Sequence, residues 1–426
     1  MPIPVPTHEP HKIKTVRPIA FPTLDERKRN LAAARFNVFE LTPSQITFDM
    51  VSYGTGAMSQ EQLSGQFVGD EAYAGARNFE TLERAINRVL GHTYVCPTHN
   101  TLGAVKLLVK TLCPPGSTLA SNARGRVDLH APRGIEIHDV RDHAEAVFTG
   151  NFDLVRLEQV ATTSRPAFVG AQCFADGQHP FSLANLKAVR ALADRHGLRL
   201  VLDLSRVIEN AWYIQRHEAG MADRSVAELT KLIAKTAHVV LMDGAQAPHC
   251  NTGGFLATDN PADLELFLNE VVVYEGLHTY GGMAGRTMEV LARGLAEMTD
   301  ETEVQWAMHQ TERFTARLRA AGIPCERGCD GAYVRADSFL PAGGAHPQHA
   351  LACALYQTSG VRALAQGLVG RDQLLPLQIP RLAMTNEQLD QVADALVHLF
   401  RQRDRAAAVM ATEKECSFGA RGRPYY

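Results

Sequence analysis

Lysine is absent from a long stretch of this chain. Residues 236–413 contain none, and the lysines that are present are Lys12, Lys14, Lys28, Lys106, Lys110, Lys187, Lys231, Lys235 and Lys414. A lysine amine is the group that forms a Schiff base with a carbonyl compound in enzymes. The sequence therefore excludes lysine Schiff-base chemistry from residues 236–413.

Other absences narrow the class of protein. No apolar run of about 18 residues occurs and the N-terminus has no apolar signal core, so a cytoplasmic chain is expected. The eight cysteines show no CxxC pairing, which favours reduced, mostly buried thiols over disulfides or structural zinc. A formal net charge of -3 with both signs mixed gives no electrostatic reason to expect nucleic acid or a membrane as partner.

What is present indicates a soluble globular protein. Apolar residues make up 45% of the chain and charged residues 21%, and 426 residues are too many for one ordinary core. The expected organisation is an N-terminal arm with part of a small domain (1–45), a large α/β domain (46–300) and a small C-terminal α/β domain (301–426).

Short apolar strands alternate with amphipathic helices after Ser117. This alternation of strands and helices predicts an α/β fold with a largely parallel sheet that is covered by helices on both faces. Ligands of such sheets bind at the carboxyl ends of the strands, where Asp203, Arg206 and Asp243 are placed. An Asp that closes an apolar strand is a candidate site residue, and a helix N-cap is the competing interpretation.

Two loops are candidates for a site. Residues 239–259 predict strand, tight turn and strand, and the turn carries His249 and Cys250. A histidine there suits a general base near neutral pH, with a structural histidine as the alternative. His249, Cys250 and His99 do not have the spacing of a compact metal site. Pro97–Gly103 leads into a helix N-terminus, which favours anions.

Several segments carry a resemblance in the right order over nearly the whole chain. They are Tyr53–Ser59, Gly69–Gly75, Pro97–His99, Asp203 with Arg206, Asn251–Leu256, Val271–Gly276 and Tyr280–Arg286. With them the chain resembles the tryptophanase and tyrosine phenol-lyase group of β-eliminating lyases. The resemblance implies the aspartate-aminotransferase-like fold (fold type I), a homotetramer built from dimers with interface sites, and pyridoxal phosphate chemistry on an aromatic amino acid.

The resemblance also assigns roles to residues. Asp203 matches the partner of the pyridinium nitrogen and Arg206 its neighbour, while Tyr73 matches the catalytic tyrosine. A monovalent cation such as K⁺ is implied at three residues, with a purely structural role at the subunit interface as the alternative: Gly54, Glu71 and Asn251.

Departures from the family pattern cluster around the cofactor. Gln246 stands at the Schiff-base position, and Asn100 begins a phosphate cup that has lost its cation. Phe174 falls where the family has an asparagine that contacts the ring oxygen. Two arginines that the family does not have, Arg124 and Arg126, suit an anionic substrate because guanidinium binds carboxylate bidentately.

The expected site therefore has two groups of side chains. The predicted catalytic residues are Tyr73, His249, Asp203 and Gln246. The predicted substrate-binding or cofactor-binding residues are His99, Asn100, Arg124, Arg126, Phe174, Arg206 and Tyr280.

Three functions fit these residues. The first is a biosynthetic enzyme for an aromatic amino acid or related anionic small molecule that works without covalent pyridoxal phosphate, by a condensation of the Pictet-Spengler type. The second is a lyase that binds pyridoxal or pyridoxamine phosphate non-covalently over Asp203. The third is a non-catalytic pseudoenzyme that pairs with an active paralogue. A homo-oligomer with a small-molecule substrate is expected for the first two.

Overall fold

The protein has two compact units. A computed structural model describes residues 8–54, 56–72, 74–123, 134–341, 346–363 and 373–404. Residues 56–304 form the large unit, and residues 1–55 together with 305–426 form the small unit.

A seven-stranded sheet organises the large unit, with strand order β2-β8-β7-β6-β5-β3-β4. The β3–β4, β3–β5, β5–β6 and β6–β7 pairs are parallel, whereas β8 runs antiparallel to both β2 and β7. The mostly parallel α/β sheet expected from the sequence is confirmed. The strands are β2 (Tyr94–Thr98), β3 (Thr118–Ser121), β4 (Glu136–Asp139), β5 (Val169–Gln172), β6 (Leu200–Asp203), β7 (Val239–Asp243) and β8 (Gly254–Thr258).

Helices pack against this sheet because its central strands are apolar on both faces. Every residue of β6, β7 and β8 is buried, as expected of strands covered on both sides. The helices are α2 (Gln60–Gly65), α3 (Arg77–Leu90), α4 (Thr101–Leu112), α5 (Leu154–Thr163), α6 (Leu183–Arg195), α7 (Val207–His217), α8 (Val226–Thr236), α9 (Pro261–Tyr274) and α10 (Gly285–Glu297). Residues of α4 and α9 form one apolar cluster with Val201, Leu241 and Leu256 of the sheet.

The small unit contains two small sheets. A three-stranded antiparallel sheet has the order β12-β10-β9, and β1 pairs in parallel with β11. The strands are β1 (Phe48–Asp49), β9 (Cys325–Arg327), β10 (Gly331–Arg335), β11 (Val361–Arg362) and β12 (Leu374–Gln378), and the helices are α1 (Leu24–Ala33), α11 (Glu301–Ala320), α12 (Ala336–Phe339), α13 (Pro347–Ser359) and α14 (Asn386–Arg401). Tyr356 and Phe339 are fully buried in its core.

Some sequence-based elements differ from the structure. The sequence predicts a strand near 377–380, but the strand lies earlier, as β12, because Leu374 to Gln378 form the complete register with β10. The closely spaced glycines of segment 46–75 predict a loop, but the segment contains α2, whose Ser59 and Gln62 form a capping box. In the described residues, no helix is both long and apolar enough to cross a membrane.

The direction of the strands defines the edge at which a site is expected. The parallel strands β3 to β7 end at one side of the sheet, and β2, which is antiparallel to β8, ends there too. We call this side the carboxyl edge. The β7–β8 turn, residues 244–253, lies at the same edge because β8 begins where β7 ends.

Candidate functional site at the carboxyl edge of the sheet

Asp203 ends β6 with a carboxylate held in one orientation. One of its oxygens accepts a hydrogen bond from Ser205 N at 2.9 Å, and the other accepts from Gln172 Nε2 at 3.3 Å. Gln172 ends the neighbouring strand and is in register with Asp203. The following helix α7 has Arg206 as its N-cap, so Asp203 is not a helix cap. Its remaining lone pairs are available to a donor such as a cationic nitrogen.

Arg206 lies at the start of α7 with most of its side chain buried. Its NH1 atom is 3.6 Å from Glu209 Oε1, and the side chains are 13% and 9% exposed respectively. The ion pair lies within the first turn of α7, so the positive charge of Arg206, close to Asp203 in the chain, is balanced by the Glu209 carboxylate. The burial makes the pair sensitive to the loss of either partner.

The turn between β7 and β8 is closed by backbone hydrogen bonds. Gly244 N donates to Gly253 O at 2.9 Å, and Cys250 N donates to Gly244 O at 2.8 Å. The fully buried Asp243 carboxylate accepts from Ala245 N at 2.9 Å. The turn is thus fixed at both ends by its own chain.

Gln246 and His249 lie in this turn and are both half-buried. Gln246 Oε1 is buried and has no hydrogen-bond partner among the described residues. His249 has a positive φ of 55°, which is uncommon for a residue with a β-carbon. Strained backbone of this kind clusters at functional sites, so the turn is the strongest candidate for chemistry in the described chain.

Cys250 is not suited to be a nucleophile. Desolvation raises the pKa of its thiol to about 11, and its Sγ lies 3.9 Å from the carbonyl oxygen of Thr287. A thiol with this pKa is protonated at neutral pH. In the part of the chain that the structure describes, no group of three His, Cys, Asp or Glu side chains is arranged to hold a metal ion.

The N-terminus of α4 lies beside the turn. Asn100 is its N-cap, and the side-chain oxygen accepts from Gly103 N at 3.0 Å. His99 is exposed, and its carbonyl oxygen accepts from Gly253 N at 2.9 Å and from Thr252 Oγ1 at 3.0 Å. The structure therefore brings the predicted His99 and Asn100 to the turn that carries His249.

One carboxylate lies against the start of α4. Glu275 Oε2 accepts from His99 N at 2.9 Å. Gly103 has no side chain at this place, where a β-carbon would be 2.5 Å from Glu275 Oε1. The helix N-terminus thus has a carboxylate of the chain itself on one side, and residues 99–103 include neither Lys nor Arg.

The two predicted aromatic residues are in different surroundings. Phe174 is 2% exposed, has a positive φ of 50° and packs edge-on against Tyr213 with ring centroids 5.9 Å apart. Tyr280 is half-buried in the segment that follows α9. At Gly276 a β-carbon would be 2.9 Å from the Tyr280 hydroxyl, so the absent side chain leaves room for the phenol.

Glu71, predicted to bind a monovalent cation, caps a helix in the structure. Its carboxylate accepts from Gly285 N at 3.2 Å, from Arg286 N at 3.1 Å and from Arg286 Nε at 3.0 Å. These atoms belong to the start of α10. Asn251 lies exposed in the β7–β8 turn, and Gly54 belongs to the small unit. The predicted residues Tyr73, Arg124 and Arg126 lie outside the described residues.

The lysines of the large unit lie on helices, and none lies in the β7–β8 turn. All of them are exposed on helices α4, α6 and α8: Lys106, Lys110, Lys187, Lys231 and Lys235. The β7–β8 turn at the carboxyl edge has the amide side chain of Gln246.

A cavity lies at the opposite edge of the sheet and has a volume of about 640 Å³. Its cationic side chains are paired with carboxylates of the same unit. Arg199 donates to Asp263 at 2.6 Å, and Arg190 donates to Asp194 at 2.9 Å. These pairs favour a structural role for the cavity, and the carboxyl edge remains the better candidate.

Sequence reasoning missed two residues at the site. Gln172 orients Asp203, and Gln62 donates to the carbonyl oxygen of Pro248 in the turn at 2.7 Å. The pattern Ser59-x-x-Gln62 is a capping-box signature, so a helix start was detectable there. The contact between the Gln62 amide and Pro248 was not detectable, because the two residues are 186 positions apart in the chain.

Comparisons with known proteins agree with this architecture. The family model described as Beta-eliminating lyase matches residues 45–395. A tyrosine phenol-lyase of Symbiobacterium sp. (strain SC-1) is 36% identical, and the match covers 94% of this chain and 94% of the relative. For a tyrosine phenol-lyase of Pasteurella multocida (strain Pm70) the identity is 33%, with 93% of each chain covered. A tryptophanase of Hyphomonas neptunium (strain ATCC 15444) is 32% identical, and the match covers 91% of this chain and 92% of the relative.

Proposed function

Because the chain belongs to the β-eliminating lyase family, we propose that it is an enzyme that keeps the family scaffold and works without covalent pyridoxal phosphate. Its substrate is an aromatic amino acid or a related anionic small molecule. The named relatives are tyrosine phenol-lyases and a tryptophanase, and this supports an aromatic amino acid as the ligand class. The enzyme acts in biosynthesis in this proposal.

The observation that carries the proposal is the place of the lysines. Those of the large unit are exposed on its helices, and the β7–β8 turn has Gln246 where the family resemblance puts the Schiff-base lysine. An amide nitrogen is not nucleophilic enough to form an imine. Without a lysine at this place the covalent step is absent, and the proposed enzyme depends on its binding and acid-base groups.

The remaining groups suit proton transfer. Asp203 has a fixed carboxylate that can hold a cationic nitrogen, and His249 can accept a proton near neutral pH. Tyr73 is the proposed third participant. A K⁺ ion bound by Gly54, Glu71 and Asn251, and a homo-oligomer with interface sites, belong to the same proposal.

A condensation of the Pictet-Spengler type needs only such groups. The amine of a tryptophan-like substrate adds to an aldehyde carbon, and water leaves. A carbon of the aromatic ring then bonds to the carbon of the resulting C=N group, and the π electron pair of that group moves to nitrogen. A base removes the proton from the ring carbon that formed the bond. No oxidant is consumed, so His249 as base and an acid for the departing water suffice.

Non-covalent use of pyridoxal phosphate is the second candidate. The observation in its favour is the Asp203 carboxylate, which is fixed by Gln172 and Ser205 in the manner expected of a partner for a pyridinium nitrogen. When bound, the cofactor would supply an electron sink for the substrate. This candidate differs from the first in a cofactor that dialysis removes.

Cofactor attachment tests the proposal directly. Freshly purified protein is treated with borohydride, which converts a Schiff base into a stable amine, and its peptides are searched by mass spectrometry for modified lysines. No modified lysine is expected in the wild type. Gln246→Lys, incubated with pyridoxal phosphate, is expected to gain the visible absorbance of a protonated imine and a reducible adduct at residue 246.

Three results would decide between the candidates. A modified lysine in the wild-type protein would refute the proposal. Cofactor absorbance that is present at first and lost on dialysis would favour the non-covalent candidate. Calorimetric titration with L-tyrosine and L-tryptophan tests the ligand class, and binding of neither would refute that part of the proposal.

A further inference from the structure

Gln62 uses the two ends of its side-chain amide for different tasks. Its oxygen accepts from Ser59 N at 3.0 Å and completes the capping box of α2, while its nitrogen donates to Pro248 O at 2.7 Å and lies 3.4 Å from Val290 O. The side chain is 2% exposed. A buried amide with both ends bonded has one orientation, so α2 holds the β7–β8 turn at a fixed place.

The bond to Pro248 fixes the peptide group that precedes His249. The oxygen of this group accepts from Gln62, and its N–H, on His249, donates to Gln246 O at 3.0 Å. The next peptide group is held through Cys250 N, which donates to Gly244 O at 2.8 Å. With the planes on both sides held, the dihedral angles of His249 are set, including its positive φ of 55°.

Helix α10 leaves space for this contact. At Gly294 a β-carbon would lie 2.0 Å from Pro248 O and 2.5 Å from Gln62 Nε2. Both distances are far below van der Waals contact, and one of the atoms is backbone. A glycine is therefore required here for the turn and the Gln62 amide to approach the helix.

We infer that Gln62 is a positioning residue for His249. The inference rests on the proposed function, in which His249 moves a proton. Gln62 itself need not touch a substrate. It acts through the Pro248 carbonyl, and it directs the imidazole by holding the backbone of His249 in a conformation that the residue seldom adopts alone.

A pair of variants separates positioning from helix stability. Gln62→Met has a side chain of similar length but removes both the cap acceptor and the donor to Pro248. Ser59→Ala weakens the same capping box and leaves that donor in place. The readout is the position and number of the NMR signals of the His249 imidazole in histidine-labelled protein at fixed pH and fixed potassium concentration. His249→Asn is used to assign the signal, and melting temperatures are measured in parallel.

We expect both variants to lower the melting temperature. Only Gln62→Met is expected to move the imidazole signal of His249 or to split it into several conformers. Gly294→Ala presses on the same hydrogen bond from the other side and should change the His249 signal in the same way, which keeps the test open if Gln62→Met fails to fold. An unchanged His249 signal in both Gln62→Met and Gly294→Ala would overturn the inference.

Ligand binding is measured separately. If the wild type binds L-tyrosine or L-tryptophan, Gln62→Met is expected to weaken binding or change its pH profile more than Ser59→Ala does. If the wild type binds neither, the proposed ligand class is wrong. The NMR signal of His249 still decides the positioning role, so the two failures are distinguishable.

Discussion

Asp203 is the residue whose role is most accessible to a single substitution. Its carboxylate is fixed by neighbours on β5 and in its own turn. Asp203→Asn removes the charge and keeps one of these two hydrogen bonds, because an amide has a single acceptor oxygen. Because hydrogen bonds to charged groups contribute about 1.5–3 kcal/mol, we expect the affinity for a ligand with a cationic nitrogen to fall roughly tenfold to a hundredfold. Calorimetric titration with tryptamine and L-tryptophan measures this.

The control for Asp203 is Asp223→Asn, which removes the same charge from an exposed loop. It should leave the affinity unchanged. Equal affinity of Asp203→Asn and wild type for both ligands would mean that Asp203 does not contact the bound nitrogen.

Residue 281 must be glycine for two reasons, a close contact with Pro97 and a backbone conformation that other residues seldom adopt. Its φ is 52°, and a β-carbon would lie 1.9 Å from the carbonyl oxygen of Pro97. We expect Gly281→Ala to lower the free energy of unfolding by about 1–3 kcal/mol from overpacking, in addition to the cost of the left-handed conformation. Urea denaturation measures the change.

Gly197→Ala is the matched control for that substitution. Gly197 also has a positive φ, 64°, but a β-carbon there would meet nothing within 4 Å. It should therefore show only the conformational cost, about 1–2 kcal/mol. An equal loss of stability in the two variants would contradict the steric explanation.

At the scale of secondary-structure elements, the start of α10 depends on a carboxylate from another segment. Glu71 accepts from two backbone N–H groups of α10 and pairs with Arg286. A negative charge at a helix N-terminus contributes about 0.3–1 kcal/mol when it is exposed, and the Glu71 side chain is 40% exposed. We expect Glu71→Gln to lower the melting temperature slightly.

The salt dependence of this effect also tests the predicted K⁺ site. If Glu71→Gln lowers the melting temperature equally in potassium and in choline salts, Glu71 acts as a helix cap alone. If the melting temperature falls only in potassium salts, Glu71 binds a cation. Glu265→Gln, an exposed glutamate on α9, is the control and should change the melting temperature less. No difference between the two variants in either salt would exclude both roles.

Elements with strong local signals were predictable from the sequence. Thr385 and Gln388 have the spacing of a capping box, which predicts a helix from Asn386, and the structure has this helix and this capping box. The β7 and β8 strands followed from two apolar runs around a turn. Helices α5 and α7 were not predicted, although buried residues recur along one side of each, at Leu157, Val160 and Ala161 of α5 and at Val207, Ala211 and Ile214 of α7. The clamp of Gln62 on Pro248 depends on a contact across 186 residues, which no local pattern contains.

For the molecule as a whole, buried histidines make stability depend on pH. Burial lowers the pKa of His92 and of His349, and burial together with the nearby Arg190 lowers that of His238, although Asp194 and Asp263 oppose this. The unfolded chain, with histidine pKa values near 6.5, then binds more protons than the folded chain. The contribution of these three histidines to the free energy of unfolding is therefore fully present above about pH 6.5, and it is lost as the pH falls below this value.

Unfolding in urea at a series of pH values measures this dependence. His92→Gln should flatten the profile, since one of the contributing groups is removed, whereas His278→Gln at an exposed position should not. A stability that rises as the pH falls below 6.5 would contradict the assignment.

The shared amide of Gln62 couples two parts of the molecule thermodynamically. Its oxygen stabilises α2 and its nitrogen stabilises the β7–β8 turn. Local unfolding of α2 therefore makes the ordered conformation of the turn less stable, and disorder of the turn makes α2 less stable. Linkage is reciprocal. A small molecule that orders the turn must therefore also slow hydrogen exchange at backbone amides of α2, such as Leu63 N, which donates to Ser59 O. Hydrogen-deuterium exchange at this short helix can then report binding at the carboxyl edge, even for a ligand that touches no residue of α2.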